Sequence, residues 1–197
     1  MNASIEKYLK VYNCLQLIGW LSAIIILPFN FLLATYTIFA FQIISLAEVF
    51  HAHKKWTNSS PWLCFVQIIA RLFILSFSLL IVAITILKPI LYFADIVYVM
   101  FVTWCIAEII RYAYYITLLF KNESKFISWL RYSAFIICYP IGLACEFFVM
   151  YNVFKYNDML VIKLLMIIAV IVYVFLFPRL YLHLLRQRKS KLITNNS

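Results

Sequence analysis

Trp129-Leu-Arg-Tyr-Ser-Ala-Phe-Ile-Ile-Cys-Tyr-Pro-Ile-Gly-Leu-Ala-Cys-Glu146 is apolar enough to cross a bilayer, yet it carries Arg131, Tyr139, Pro140, Gly142 and Glu146. An ionisable group at mid-membrane costs roughly 2.5–3.5 kcal/mol on insertion scales, so its default reading is functional. Tyr139 and Glu146 are seven residues apart. Two helical turns almost close over that interval, so both side chains share a face, offset by about 10 Å along the axis. Pro140 cannot donate to the carbonyl of Ile136, so the spacing predicts a kink beside Tyr139. A bend, a phenol and a carboxyl on one face form the wall of a pocket.

The rest of the 197-residue chain agrees with that reading, being 66% hydrophobic. Soluble domains average about 45–50% apolar. The expected fold class is therefore all-α: a polytopic membrane protein, one domain, six transmembrane helices in one bundle. A span needs about 20 mostly apolar residues. Six stretches qualify, at about 11–27, 33–50, 61–87, 95–120, 127–151 and 159–185, followed by a basic tail at 186–197. Pro28, Pro61 and Pro89 fall at span ends, whereas Pro140 and Pro178 lie inside spans and predict kinks. No repeat of the kind that builds inverted-repeat transporters is present.

The net charge of +10 sits mostly in short connections and the tail, not on one face of a soluble module, which excludes nucleic acid as a partner. Counted by connection, one side holds ten Lys and Arg, at 7, 10, 54, 55, 121, 125, 186, 188, 189 and 191. The other holds three, Lys88, Lys155 and Lys163. Positive residues stay inside, so both termini are expected in the cytoplasm. The four N-x-S sequons, at Asn2, Asn58, Asn122 and Asn195, all fall on that side. The N-terminus lacks the pattern of a cleaved signal peptide, so the first apolar segment is expected to stay as an anchor. The five cysteines all lie in apolar runs without a CxxC pair, and read as small buried hydrophobes. No metal-ligand spacing occurs and no cofactor is expected.

The remaining ionisable residues within spans are Glu48, Arg71, Glu108 and Arg111. Glu108 and Arg111 are three apart and can pair on one helix face. Glu48 and His51 show the same spacing. Both pairs also fit a purely structural role, holding helices together. By depth, Arg71, Arg111 and Arg131 fall in the cytoplasmic half, Tyr139 near the middle and Glu146 beyond it. Such a funnel suits a ligand with an anionic head and an apolar tail, because guanidinium forks match phosphate oxygens. Arg179 is expected to snorkel to the surface. Trp56, Trp62 and Tyr181 read as interfacial anchors, and Tyr112, Tyr114 and Tyr115 as packing residues.

Together these residues resemble a known family. The fifth span, with Trp-Leu-Arg-Tyr (129–132), Tyr-Pro-Ile-Gly (139–142) and Glu146, is similar to the signature of the very-long-chain (3R)-3-hydroxyacyl-CoA dehydratases, also called protein-tyrosine-phosphatase-like membrane proteins. The likeness runs from about Tyr8 to Leu185. It includes Tyr-Leu-Lys-Val-Tyr-Asn-Cys-Leu-Gln-Leu-Ile-Gly-Trp (8–20), Leu-Ala-Glu-Val-Phe-His-Ala (46–52), Gln-Ile-Ile-Ala-Arg-Leu-Phe (67–73) and Trp-Cys-Ile-Ala-Glu-Ile-Ile-Arg-Tyr-Ala-Tyr-Tyr (104–115). The resemblance implies an endoplasmic reticulum lyase of fatty-acid elongation, taking 3-hydroxyacyl-CoA to trans-2-enoyl-CoA beside an elongase and two reductases. It implies Tyr139 and Glu146 as the catalytic pair, which of them is acid and which base staying open. Arg71, Glu108, Arg111, Arg131 and Gly142 are candidate substrate-binding residues. No Cys-x5-Arg phosphatase loop is expected, and the tail lacks a C-terminal dilysine in the usual place. The competing readings are a non-catalytic scaffold of the elongation complex and a small-solute transporter. Two glycines, few carboxylates and no pair of broken spans speak against the transporter.

Overall fold

The computed structural model describes residues 2–57, 59–85, 93–122 and 124–194, with side chains omitted for 80–85, 183 and 191–194. Asn58, Leu87, Lys88, Pro89 and Asn195, and the side chains of His183 and Lys191, thus lie outside the described residues. Among those residues all regular structure is helical: α1 (Ala3–Ile26), α2 (Phe31–Ile44), α3 (Ala47–His53), α4 (Pro61–Thr85), α5 (Phe93–Leu119), α6 (Lys125–Ser133), α7 (Phe135–Tyr156) and α8 (Leu160–Thr194). Six segments are long and apolar enough to cross a membrane; α2 with α3, and α6 with α7, each make one of them.

Local chemistry explains where these helices begin. The apolar run suggests a start near Val11, but α1 starts at Ala3. The Asn2 side chain accepts from the Ser4 backbone at 3.3 Å, and Lys10 pairs with Glu6 at 2.8 Å, so the first two turns are held without apolar residues. Asn30 caps α2 through the Leu33 N–H at 2.9 Å. Pro61 opens α4, where its missing N–H costs nothing. The second span is interrupted at Ser45, whose Oγ bonds back to the Phe41 carbonyl at 2.9 Å.

The fifth span is divided upstream of the proline where a kink is expected. The fifth span divides at Ala134, and Tyr139 and Pro140 are both inside α7. At the division Ile137 and Cys138 both donate to the Ala134 carbonyl, at 3.2 and 2.9 Å. α8 is not divided at Pro178, and it carries the first part of the basic tail as helix to Thr194.

The chain forms two compact units, Met1–Ser76 with Glu108–Glu123, and Phe77–Ala107 with Ser124–Ser197. The first buries Trp20, Ala34, Ile38, Ile74 and Tyr112. Its α1 and α2 approach closely at Gly19, where an added Cβ would come within 2.2 Å of the Phe41 ring. The second unit buries Phe93, Val97, Met100, Phe101, Cys105, Val149, Met150 and Met166. The outward faces stay apolar, as lipid requires: Ile18, Ile25, Ile137, Leu160, Ile168 and Phe175 are all more than half exposed.

Candidate active site

In the second unit, α7 presents Tyr139, Gly142 and Glu146 within two turns. Tyr139 is half-buried. Its ring meets Phe135 edge-on at 6.3 Å and Phe177 at 6.4 Å. Phe135 and Phe177 in turn meet Tyr181, at 5.7 and 5.6 Å, so the phenol stands in an aromatic wall built from α7 and α8. Tyr181, expected as an interfacial anchor, belongs to that wall. Among the described residues the Tyr139 hydroxyl makes no hydrogen bond.

Glu146 is buried, with 8% of its surface exposed. Its Oε1 accepts the indole N–H of Trp104, on α5, at 3.1 Å. The same indole passes Gly142. A Cβ built there would lie 3.9 Å from Nε1 and 4.0 Å from Cδ1 of Trp104, and 3.8 Å from Cγ2 of Thr103. The α5–α7 seam thus has a bare backbone position beside the Trp104–Glu146 contact. Arg131, on α6 in this unit, is partly exposed and forms no ion pair among the described residues.

The first unit holds Arg71, Glu108 and Arg111 in a separate network. Arg71 pairs with Oε1 of Glu108, and Arg111 Nη2 lies 2.7 Å from Oε2 of the same carboxylate. The expected Glu108–Arg111 pair therefore forms, while the expected Glu48–His51 pair does not. Glu48 Oε1 instead accepts from Arg111 Nη2 at 2.8 Å, from the Tyr112 hydroxyl and from the Tyr12 hydroxyl at 3.4 Å. His51 is 1% exposed, its Nε2 lies 3.0 Å from the Tyr8 hydroxyl, and its ring stacks on Trp56 at 5.7 Å. Tertiary neighbours outbid the helical spacing, because Arg111 brings a full charge to Glu48 and His51 does not have to. Arg111 also donates to the Tyr112 hydroxyl at 2.6 Å; Ser45 Oγ is 3.2 Å from that hydroxyl, and Gln16 donates to Ser45 Oγ at 3.3 Å. Two guanidinium groups face two carboxylates, so the network is formally neutral.

Spacing did not single out Tyr12, Ser45 or Trp104, and Tyr112 read only as packing. One signal could have found Trp104. Tryptophan concentrates at membrane interfaces, and this one is twelfth of the 27 residues of α5. An indole N–H that deep needs an acceptor. The phosphatase comparison also needs a correction. Cys105 and Arg111 do have the Cys-x5-Arg spacing, but α5 is helical across both, and Cys105 is fully buried. A helix points those two side chains about 120° apart and ties up its backbone N–H groups, so no phosphate cradle forms.

Comparison with known proteins places residues 42–194 in the family described as "Protein tyrosine phosphatase-like protein, PTPLA". The chain is 31% identical to mouse very-long-chain (3R)-3-hydroxyacyl-CoA dehydratase 1, covering 94% of this chain and 73% of that protein. It is 31% identical to the probable very-long-chain (3R)-3-hydroxyacyl-CoA dehydratase of Schizosaccharomyces pombe, over 72% of this chain and 70% of that one. Identity to human very-long-chain (3R)-3-hydroxyacyl-CoA dehydratase 2 is 30%, over 93% and 80% respectively. No solved structure matches.

Proposed function

The chain belongs to the PTPLA family of protein tyrosine phosphatase-like proteins, and on that footing we propose that it is a very-long-chain (3R)-3-hydroxyacyl-CoA dehydratase acting through Tyr139 and Glu146. The observation that carries the proposal is a buried carboxyl, Glu146, fixed by a neutral donor two turns along α7 from a phenol with no hydrogen bond of its own among the described residues.

Elimination of water needs one group to take the C2 proton and another to give a proton to the C3 hydroxyl. The C2–H electrons become the C2=C3 bond, the C3–O bond breaks, and water leaves. Tyr139 and Glu146 each can donate or accept one proton, and general acid–base catalysis of this kind contributes about 10²–10⁴-fold. After one turnover the two groups have exchanged protonation states, so a proton returns through solvent or the product water. The axial offset of about 10 Å is bridged by side-chain reach together with the substrate's own C2–C3–O unit. The aromatic wall of Phe135, Phe177 and Tyr181 supplies an apolar surface for the acyl chain. Arg131, with Gly142, contributes to binding the thioester end; Arg71 and Arg111, in the first unit, neutralise Glu108 and Glu48.

The protein acts as a hydro-lyase in the endoplasmic reticulum membrane, with both termini and the basic tail in the cytoplasm, beside the elongase and reductases of the elongation cycle. The positive-inside count supports that orientation.

The test is turnover of a 3-hydroxyacyl-CoA by purified protein in detergent. Enoyl-CoA formation is expected to fall at least about 100-fold in Tyr139→Phe and in Glu146→Gln. Wild-type rates in both variants would remove the assigned pair. No turnover by the unaltered protein, with stability lost on either change, would favour a scaffold.

A further inference from the structure

We propose that Arg188, on the basic end of α8, receives the phosphates of the CoA moiety, and that Ser133 holds its guanidinium in place for them. The inference rests on the reading of the chain as a dehydratase that works on an acyl-CoA at Tyr139.

The second unit has a continuous seam between α7 and α8. Phe147 meets Tyr173 at 6.0 Å, Tyr139 meets Phe177 at 6.4 Å, and Phe135 meets Tyr181 at 5.7 Å. The next contact in that antiparallel register reaches the end of α6, where Arg188 Nε donates to Ser133 Oγ at 3.4 Å. Phe177, Tyr181 and Arg188 follow at intervals of four and seven residues, so they line one face of α8. Arg188 is accordingly half-buried, while Arg186 and Lys189 are exposed. From Phe177, level with the phenol, to Arg188 is eleven residues, an axial rise of about 16 Å. Three bonds of an extended chain cover about 3.3–3.6 Å, so the roughly 13 bonds of pantetheine arm between thioester sulfur and first phosphorus span about 14–16 Å. A thioester held at Tyr139 therefore brings its diphosphate to Arg188 along the seam.

Charge favours the same end. The carboxylates of this unit are Asp95, Glu146 and Asp158. Asp95 is in the first turn of α5, whose opening Phe93 packs on Phe148 at 6.3 Å, and Asp158 lies in the turn between α7 and α8. Both are at the far end of the seam, and Glu146 is two turns beyond Tyr139 in their direction. Among the described residues Arg188 has no ion pair, and its one hydrogen bond is to Ser133. With Nε given to Ser133, the two Nη groups present a fork, which matches phosphate oxygens. Arg71 and Arg111, by contrast, already hold carboxylates.

Two substrates separate the phosphates from the reacting carbons: a 3-hydroxyacyl-CoA, and the N-acetylcysteamine thioester of the same acid, which has no phosphate. In neutral detergent Arg188→Gln is expected to raise KM for the CoA ester about tenfold to a hundredfold, with kcat within about twofold. Its kcat/KM for the phosphate-free thioester should stay within about twofold of the unaltered protein's. Arg188→Lys, which keeps the charge without the fork, should raise KM for the CoA ester alone, by a smaller factor. An unchanged KM for the CoA ester in Arg188→Gln, or equal losses on both thioesters in either variant, overturns the proposal. So does a loss that appears only when anionic phospholipid is added to the micelles, because the fork then serves a lipid headgroup. Calorimetric binding of CoA itself keeps the two levels apart. If the unaltered protein turns over neither thioester, the dehydratase reading fails. The phosphate site then stands if Arg188→Gln weakens CoA binding by at least about tenfold, and falls if the affinity is unchanged.

Discussion

Replacing Arg111 by methionine keeps most of the side-chain stem and deletes the charge that Glu48 and Glu108 share. Arg111 lies 2.8 Å from one carboxylate and 2.7 Å from the other, with 19% of its side chain exposed. All four charged residues of the network lie in candidate membrane spans. Without Arg111, two carboxylates face Arg71 alone, and one negative charge is uncompensated. Two effects compete to set the cost. Lost hydrogen bonds between transmembrane helices average about 0.6 kcal/mol each. An uncompensated charge costs about 2.5–3.5 kcal/mol. The charge dominates, so Arg111→Met should destabilise by roughly 3 kcal/mol, and Glu48→Gln, which leaves a surplus cation, by a similar amount. The double variant is neutral again, with Glu108 and Arg71 still paired. It should lose only about 1–2 kcal/mol, the remnant of bonds to Tyr12 and Tyr112. The coupling from the double-mutant cycle is then about 4 kcal/mol. Reversible unfolding of the purified protein in mixed micelles measures it. Additivity within about 0.5 kcal/mol would refute the neutral-network reasoning. The same variants test the expectation that Arg111 receives CoA phosphates. A KM that stays raised in the stable double variant would assign it that contact. A normal KM would confine it to neutralising the carboxylates.

The two glycines should answer oppositely to alanine. Gly19→Ala drives a methyl to within 2.2 Å of the Phe41 ring and should cost about 1–3 kcal/mol of stability. Gly142→Ala meets only ordinary contacts at 3.8–4.0 Å in mid-helix, and stability should hold or rise by up to about 1 kcal/mol in the same unfolding assay. Under the proposed orientation, with both termini in the cytoplasm, Asn58 and Asn122 should carry no glycan; a glycosidase-sensitive mass shift that vanishes in Asn122→Gln would reverse it.

What could be read in advance is what a single helix determines along its own length. Hydropathy and span length located the six membrane segments, and i,i+3 spacing found the Glu108–Arg111 pair. Interactions between helices were hidden. Glu48 and His51 have the same spacing, yet Glu48 turned to Arg111 and His51 to Tyr8 and Trp56. A spacing rule shows which residues can meet; the neighbouring helix decides which pairing lowers the energy most, and a buried carboxylate gains more from a guanidinium than from an imidazole already held elsewhere. The start of α1 was missed for a different reason. An apolar window does not register an Asn cap or a Glu–Lys pair.

The same distinction bears on the candidate site. Seven-residue spacing puts Tyr139 and Glu146 on one face of α7, but it would do so equally for a structural carboxyl. Glu48 and Glu108 each meet a guanidinium, and Glu146 accepts from an indole N–H. The first unit holds its carboxylates against guanidinium groups, so opposite charges are paired within the spans. The indole of Trp104 donates to Glu146 without contributing a full charge. The proposed acid–base role of Glu146 therefore rests on the turnover of its variants, while the α5–α7 seam shows its contact with a tryptophan well away from the interfacial belt where the residue is usually found.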